Sequence, residues 1–340
     1  FRAMYEGKDG SNGTVVGNSA GQYLQGIGAT YIGSEAGRFA TGSYNTFVGG
    51  SAGRGPNSAP YGSGGYNTAM GYQALDAFTT GTQNVAIGYQ AGTDLTTGYY
   101  SAIVGYQAGQ NVTTGNASVF IGWQAGNNKT TVSNNIGIGY RSAYADGGTM
   151  DVFIGYEACA NATGGNNIGI GRDAGRGYHG VSQAEYGANS TNTQNVSIGT
   201  YAGRTLIGSN SVNVGYNAGY YASGSQNTFV GAGAGKGGTT SAPFSSGQYN
   251  TVVGKDAGKE FTTGGYNNAL GAEALDALTT GVENSAMGVG ALGSITTQNS
   301  NVAIGGYAGT SIAGSDAIDN VIIGNYAGTG GSGDLKRSIA

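Results

Sequence analysis

Apolar and polar positions follow one short pattern that recurs along nearly the whole chain. A polar residue, three residues of alternating character and a glycine are followed by alanine three positions later, as in Asn84-Val85-Ala86-Ile87-Gly88-Tyr89-Gln90-Ala91. Aligned on that glycine, the anchor, the chain holds eighteen copies from Gly17 to Gly324, mostly 16 or 17 residues apart. Val, Ile, Leu or Met precedes the anchor in all eighteen, and Ala follows at the third position in seventeen, with Ser142 the exception. The next position is Gly in thirteen copies and Leu75, Ala143, Cys159, Leu275 or Leu292 in the rest. Asn, Asp or Ser stands four residues before the anchor in sixteen.

This period is too short for a helix-turn-helix repeat and too long for a single strand, but it suits one coil of a solenoid. It predicts an all-β fold, a parallel β-solenoid of about eighteen coils of 16 or 17 residues with a short strand in each. Alternation puts Val85 and Ile87 on one face and Ala86 on the other. Because the address of Ile87 is aliphatic in every copy, its face is expected to be the interior, with Ala91 at a cramped corner. The Asn at the strand start is expected to bond the local backbone and stack on its equivalent in the next coil.

Composition sharpens this reading. Glycine accounts for 70 of 340 residues and charged residues for only 9%, yet 38% are apolar, more than a flexible linker carries. Three prolines and no Gly-X-Y period exclude collagen. A net charge of -4 offers no attraction for nucleic acid or an anionic bilayer, and no apolar run is long enough to span a membrane. The single Cys159 and single His179 make neither a disulfide framework nor a zinc cluster, so no metal or cofactor is expected. Residues 1–340 read as one elongated repeat domain. The start at Phe1-Arg2-Ala3-Met4 and a closing Gly333–Ala340 stretch resembling a new strand suggest part of a longer fibre.

Spacing widens to 22 after Gly49, 28 after Gly171 and 23 after Gly231, which places loop insertions near 54–65, 176–193 and 236–248. Solenoid insertions leave from an edge, where loops grow without breaking the stack. Their aromatic and imidazole side chains, Tyr61, Tyr178, His179 and Phe244, are candidate receptor-binding residues; neutral variation in loop length is the alternative. The segment from Phe47 to Gly81 also resembles that from Phe229 to Gly281, which suggests duplicated blocks.

One position past the anchor runs an aromatic stripe, Tyr72, Tyr89, Tyr106, Trp123, Tyr140 and Tyr156, with Tyr216 later, flanked by Gln73, Gln90, Gln107 and Gln124. It reads either as a seam between subunits or as an open platform for the C–H faces of sugar rings. Threonine pairs at Thr79-Thr80, Thr96-Thr97, Thr113-Thr114 and Thr130-Thr131 resemble the arrays of antifreeze proteins, although the glycine that follows several of them favours a turn. Glu157 with Asp173, or Asp256 with Glu273, could approach glycosidase spacing. They occupy addresses that hold Gln elsewhere, so they are expected to be surface acids and no catalytic residue is assigned. Cys159 is expected to be a small buried side chain at a corner.

The recurring N-[SVTN]-A-[IML]-G-x-x-A-[GL] pattern is carried by Ile87-Gly88 with Ala91-Gly92, by Ile121-Gly122 with Ala125-Gly126, and by Ile304-Gly305 with Ala308-Gly309. It resembles the repeats of bacteriophage tail fibres and the related head repeats of trimeric autotransporter adhesins. The resemblance implies a left-handed β-roll and a side-by-side homotrimer located on a virion tail. It further implies attachment to a host cell-surface glycan or surface protein, and contact with other tail proteins. The longer coils and their TTG turns favour the tail fibre over the alternative, an adhesin head on a bacterial surface. A polysaccharide depolymerase and an ice-binding solenoid rank lower. A thin coil buries little per residue, which gives oligomerisation a physical motive.

Overall fold

The computed structural model describes residues 12–144, 148–161, 164–177, 193–205, 208–238, 245–312 and 318–329. The fold is an all-β parallel solenoid, and the described residues hold eighteen three-residue strands, one per repeat. Contacts divide it into two compact units, Phe1–Thr163 and Gly164–Ala340. The first holds β1 (Thr14–Val16) to β9 (Val152–Ile154), and the second β10 (Ile168–Ile170) to β18 (Val321–Ile323). Within each unit every strand pairs in parallel with the next at equivalent addresses, as in Val85↔Ala102, Ala86↔Ile103 and Ile87↔Val104.

Three residues are too few to hold a strand alone, so the turns contribute to the ladder. Val85 N donates to Ser101 O at 2.8 Å, Gln90 N to Tyr72 O at 2.9 Å and Thr96 N to Thr113 O at 2.9 Å. The anchor explains itself in this geometry. Gly88 has φ of 135°, and a Cβ there would collide with the carbonyl of Gly105 in the next coil. Coil-on-coil hydrogen bonding therefore requires glycine at this address, beyond any preference for a turn residue.

The expected asparagine ladder is present. Asn45 Oδ1 accepts from Asn67 N at 2.8 Å, Asn67 Oδ1 from Asn84 N at 2.9 Å and Asn84 Oδ1 from Ser101 N at 3.0 Å. Asn84 Nδ2 also donates to Gly98 O at 2.7 Å, tying the strand start to the turn of its own coil. The second unit continues the device from Asn227 through Asn250, Asn267, Asn284 and Asn301 to Asn320. All these side chains are buried, where an unbonded amide would be costly.

The interior lies on the opposite side of the strand from the one expected. Ala86 is fully buried, whereas Val85 and Ile87 are 38% and 37% exposed. The alternation is as read, but the inward address is the middle of the strand. That address holds Tyr31, Phe47, Ile103, Phe120 and Phe153 in other coils, all buried. Regular aliphatic occupancy therefore marks a uniform outer face, while the interior varies in size from coil to coil.

In several coils that variation is compensated within the coil; at Gly92, paired with Ala86, the nearest side chains are Ile103 and Leu75 from the neighbouring coils. Where the strand middle is aromatic, the corner four residues past the anchor is usually glycine; a Cβ on Gly53 would strike the ring of Phe47, and one on Gly126 the ring of Phe120. Where the strand middle is Ala69, Ala269 or Ala286, the corner is Leu75, Leu275 or Leu292, fully buried in its place. Leu75 accepts φ of 52° there. A left-handed leucine costs roughly 1–2 kcal/mol, and burying the side chain returns roughly 1.5–3 kcal/mol.

Candidate receptor-binding surfaces

The first surface is the loop edge. Near 54–65 the chain leaves the coil after Gly55, whose N donates to Asp76 O at 2.9 Å, and returns at Gly62 to bridge Ala40. In the second unit it leaves after Gly238, with Gly237 N bonded to Lys259 O at 3.1 Å, and Ser245 bridges Ala222. Gly62 and Ser245, the bridge residues, each stand nine positions before the next anchor, Gly71 and Gly254. Asn57, Ser58, Ala59 and Pro60 are exposed at the first tip. Tyr61 packs against Tyr23 and Phe39, with ring centroids 5.0 and 5.8 Å away. Tyr178, His179 and Phe244 lie outside the described residues.

Beside this loop runs a network of charges. Arg38 donates to Gln22 Oε1 at 2.9 Å and to Glu35 Oε1 at 2.8 Å, and Arg54 reaches Asp76 Oδ2 at 2.9 Å and Glu35 Oε2 at 3.8 Å. Burial pushes the carboxyl of Asp76 up against the opposing pull of Arg54, with Glu35 and Asp94 adding to the rise. The Asp94 carboxyl is likewise raised by burial. These residues are spread over several coils and meet only because the coils stack.

The second surface is the aromatic stripe. From Tyr72 through Tyr89, Tyr106, Trp123 and Tyr140 to Tyr156, successive ring centroids are 5.5, 5.2, 6.0, 4.8 and 4.9 Å apart. Interplanar angles are 19° or less. The rings therefore cover one another's faces and present edges and hydroxyls outward. A platform of open ring faces for sugars is not formed along the stack. All six rings remain exposed on the single chain, Tyr72 at 50%. Tyr216 is exposed too, and meets Tyr201 edge-on at 6.3 Å.

Beneath the stripe the glutamines bond to one another. Gln90 donates to Gln73 at 3.0 Å, Gln107 to Gln90 at 3.0 Å and Gln124 to Gln107 at 2.9 Å. These residues lie in a turn with φ near 50°, so strand alternation does not govern which way they face. The threonines are spent similarly. Thr79, Thr96 and Thr113 donate their hydroxyls to the backbone of the next coil at 3.0, 2.8 and 2.9 Å. Of the second residues, Thr80 and Thr97 are exposed, while Thr114 and Thr131 share a hydroxyl hydrogen bond at 3.2 Å.

Of the four acids weighed for glycosidase chemistry, Glu157 and Asp173 are buried and not at the surface as expected, and three have a cation nearby. Glu157 lies 3.8 Å from Arg141, Asp173 2.8 Å from Arg176, and Asp256 2.7 Å from Lys255. Among the described residues no group of three or more His, Cys, Asp or Glu side chains converges to hold a metal. Cys159 is buried, and burial, aided by Asp151 and opposed by Lys129, pushes its thiol well up. Lys129 escaped notice in the sequence. It is buried at the address that holds Leu95 and Val112 in preceding coils, with its ammonium 6.0 Å from the centroid of Phe153.

The third surface was missed through the inverted interior. The outer strand residues form two columns on each unit, one with Val85 and Val119, the other with Ile87 and Ile121. Neither column holds a charged residue in any of the eighteen strands. Many members are strongly exposed, including Val16, Met70, Leu270, Met287 and Ile323. The second column is Val, Ile, Leu or Met in every strand, while the first holds Thr, Asn or Ser in eight, so each unit shows an uncharged and largely apolar strand face of the kind that marks an interaction surface. The chain matches no protein-family model, no curated protein and no solved structure, so the surfaces stand on their own geometry.

Proposed function

We propose that this chain is a structural and receptor-binding segment of a side-by-side trimeric fibre of the phage tail-fibre kind, attaching to cell-surface glycan. The observation that carries the reading is the uncharged strand face, with its unbroken aliphatic or methionine second column. An apolar sheet surface left in water would favour aggregation, and a closed cyclic assembly of identical chains covers it at every coil.

With the strand face turned inward, the loop edge and the aromatic stripe remain for contact with a host. Attachment is assigned to the insertions near 54–65, 176–193 and 236–248; in the first, exposed Asn57 and Ser58 precede Tyr61, which packs on Tyr23. The stripe contributes ring edges and hydroxyls as hydrogen-bonding partners. Cell binding tests this half of the proposal. Labelled protein should adhere to host cells and lose adhesion when surface polysaccharide is stripped enzymatically. Adhesion unaffected by stripping would replace the glycan with a surface protein, and release of short oligosaccharides would favour a depolymerase.

A further inference from the structure

The uniformity of the strand face creates a problem of alignment. Over most strands the two columns hold β-branched side chains, as in Val85 and Ile87, Val119 and Ile121, and Val196 and Ile198. If identical chains pack there, sliding one by a coil, about 4.8 Å, sets Ile against Val again at almost no cost. Such a face specifies association without specifying register.

The pattern is broken singly in β4 (Thr68–Met70) and β6 (Ala102–Val104), and at both columns in two adjacent strands. In β15 (Asn268–Leu270) and β16 (Ser285–Met287) the first column drops to small or polar residues while the second holds residues that are not branched at Cβ. The result is a groove of about 400 Å³, lined among others by Asn268, Leu270, Ser285, Met287, Val302 and Ile304. Leu270 and Met287 stand beside it 49% and 51% exposed, more than Ile87 or Ile121.

We infer that this groove is a register lock between copies of this chain, a deepening that rests on the trimeric reading above. Its occupant is the second copy. In a cyclic assembly one copy's second column abuts the next copy's first, a heterologous contact that closes into a ring. At the same height, Leu270 and Met287 of one chain then lie over Asn268 and Ser285 of the next. Long side chains meet the depression left by short ones only in register. A slide of one coil sets Met287 against the β-branched Val302 in place of Ser285 and leaves Asn268 facing Val253. The absence of charge in the groove lining fits an apolar occupant, and a partner with the same coil repeat fits the whole column.

Disulfide trapping tests the lock with reporters at the end of the groove, Val302 and Ile304, and one beyond it, Val321. Chains carrying V302C are co-assembled with chains carrying I304C for the in-register contact, and V321C with I304C for the contact offset by one coil. The expected result is a yield of covalent dimer roughly fivefold higher for the in-register pair, since a disulfide needs Cβ atoms about 4 Å apart. Flattening the groove with N268V, L270I, S285V and M287I should keep the assembled mass and bring the offset yield up to the in-register one. In-register trapping that persists after flattening overturns the lock and leaves the trimer standing. A single-chain mass in sedimentation overturns both.

Discussion

The coil anchored at Gly49 and the one anchored at Gly71 enclose the same interior with opposite residues. In the first, Phe47 reaches inward from the strand and Gly53 leaves room at the corner. In the second, Ala69 is small and Leu75 fills the space from the corner. Both coils pair with their neighbours through the same strand register, so between these two the enclosed volume is kept while the residue at each address changes. Core packing of this kind tolerates exchange but not loss.

Substitutions that unbalance the pair test it most strongly. Phe47→Ala should cost about 3–5 kcal/mol by leaving a cavity, read as a lower denaturant midpoint. Gly53→Leu with Phe47 retained should cost about 2–4 kcal/mol, because the new side chain meets the ring and takes a left-handed backbone. The double variant Phe47→Ala/Gly53→Leu rebuilds the Ala69–Leu75 arrangement and should recover a large part of the combined loss. Additive losses in that double-mutant cycle would refute compensation.

A smaller effect on the chain itself is expected from the outer face. Ile87→Asn should change the unfolding free energy by less than about 1 kcal/mol, since the side chain is already partly exposed and its backbone pairing persists. The same substitution should weaken association between copies. A loss comparable to that of Phe47→Ala would return Ile87 to the interior.

The smallest expected effect is on pH dependence. The carboxyls of Asp76, Asp94 and Asp276 are all raised, chiefly by burial. A carboxyl raised on folding favours the protonated native state. Its stabilising contribution is fully present below the unfolded value near 3.8 and is lost as pH rises through the folded value. Thermal unfolding should therefore show these groups favouring the fold at mildly acidic pH relative to neutral, and Asp76→Asn should flatten the profile. A profile unchanged by Asp76→Asn would remove that residue from the effect.

Much of the fold is legible in one sequence because a repeat prints each constraint many times. The anchor glycine, the strand position, the parallel stacking and the asparagine ladder all follow from period and address. The direction of the strand did not, because constant aliphatic occupancy was equated with burial. The corrective signal lay at the middle address. Tyr31, Phe47, Phe120 and Phe153 alternate there with alanines, and Phe47 with Gly53 or Ala69 with Leu75 vary together. Such covariation marks a shared enclosed volume. The groups that meet by stacking were less legible. Gln22, Arg38, Glu35, Arg54 and Asp76 converge only once the coils are built, and mutual coverage of the rings from Tyr72 to Tyr156 depends on their orientation, which spacing does not encode.

The central claim is that the uncharged strand face is covered by identical chains. Sedimentation equilibrium of the purified protein over a range of concentrations measures this directly. The prediction is a single species at about three times the 33.8 kDa chain mass, dissociated by Ile87→Asn combined with Ile121→Asn. A stable species at 33.8 kDa with that face open to water would contradict it.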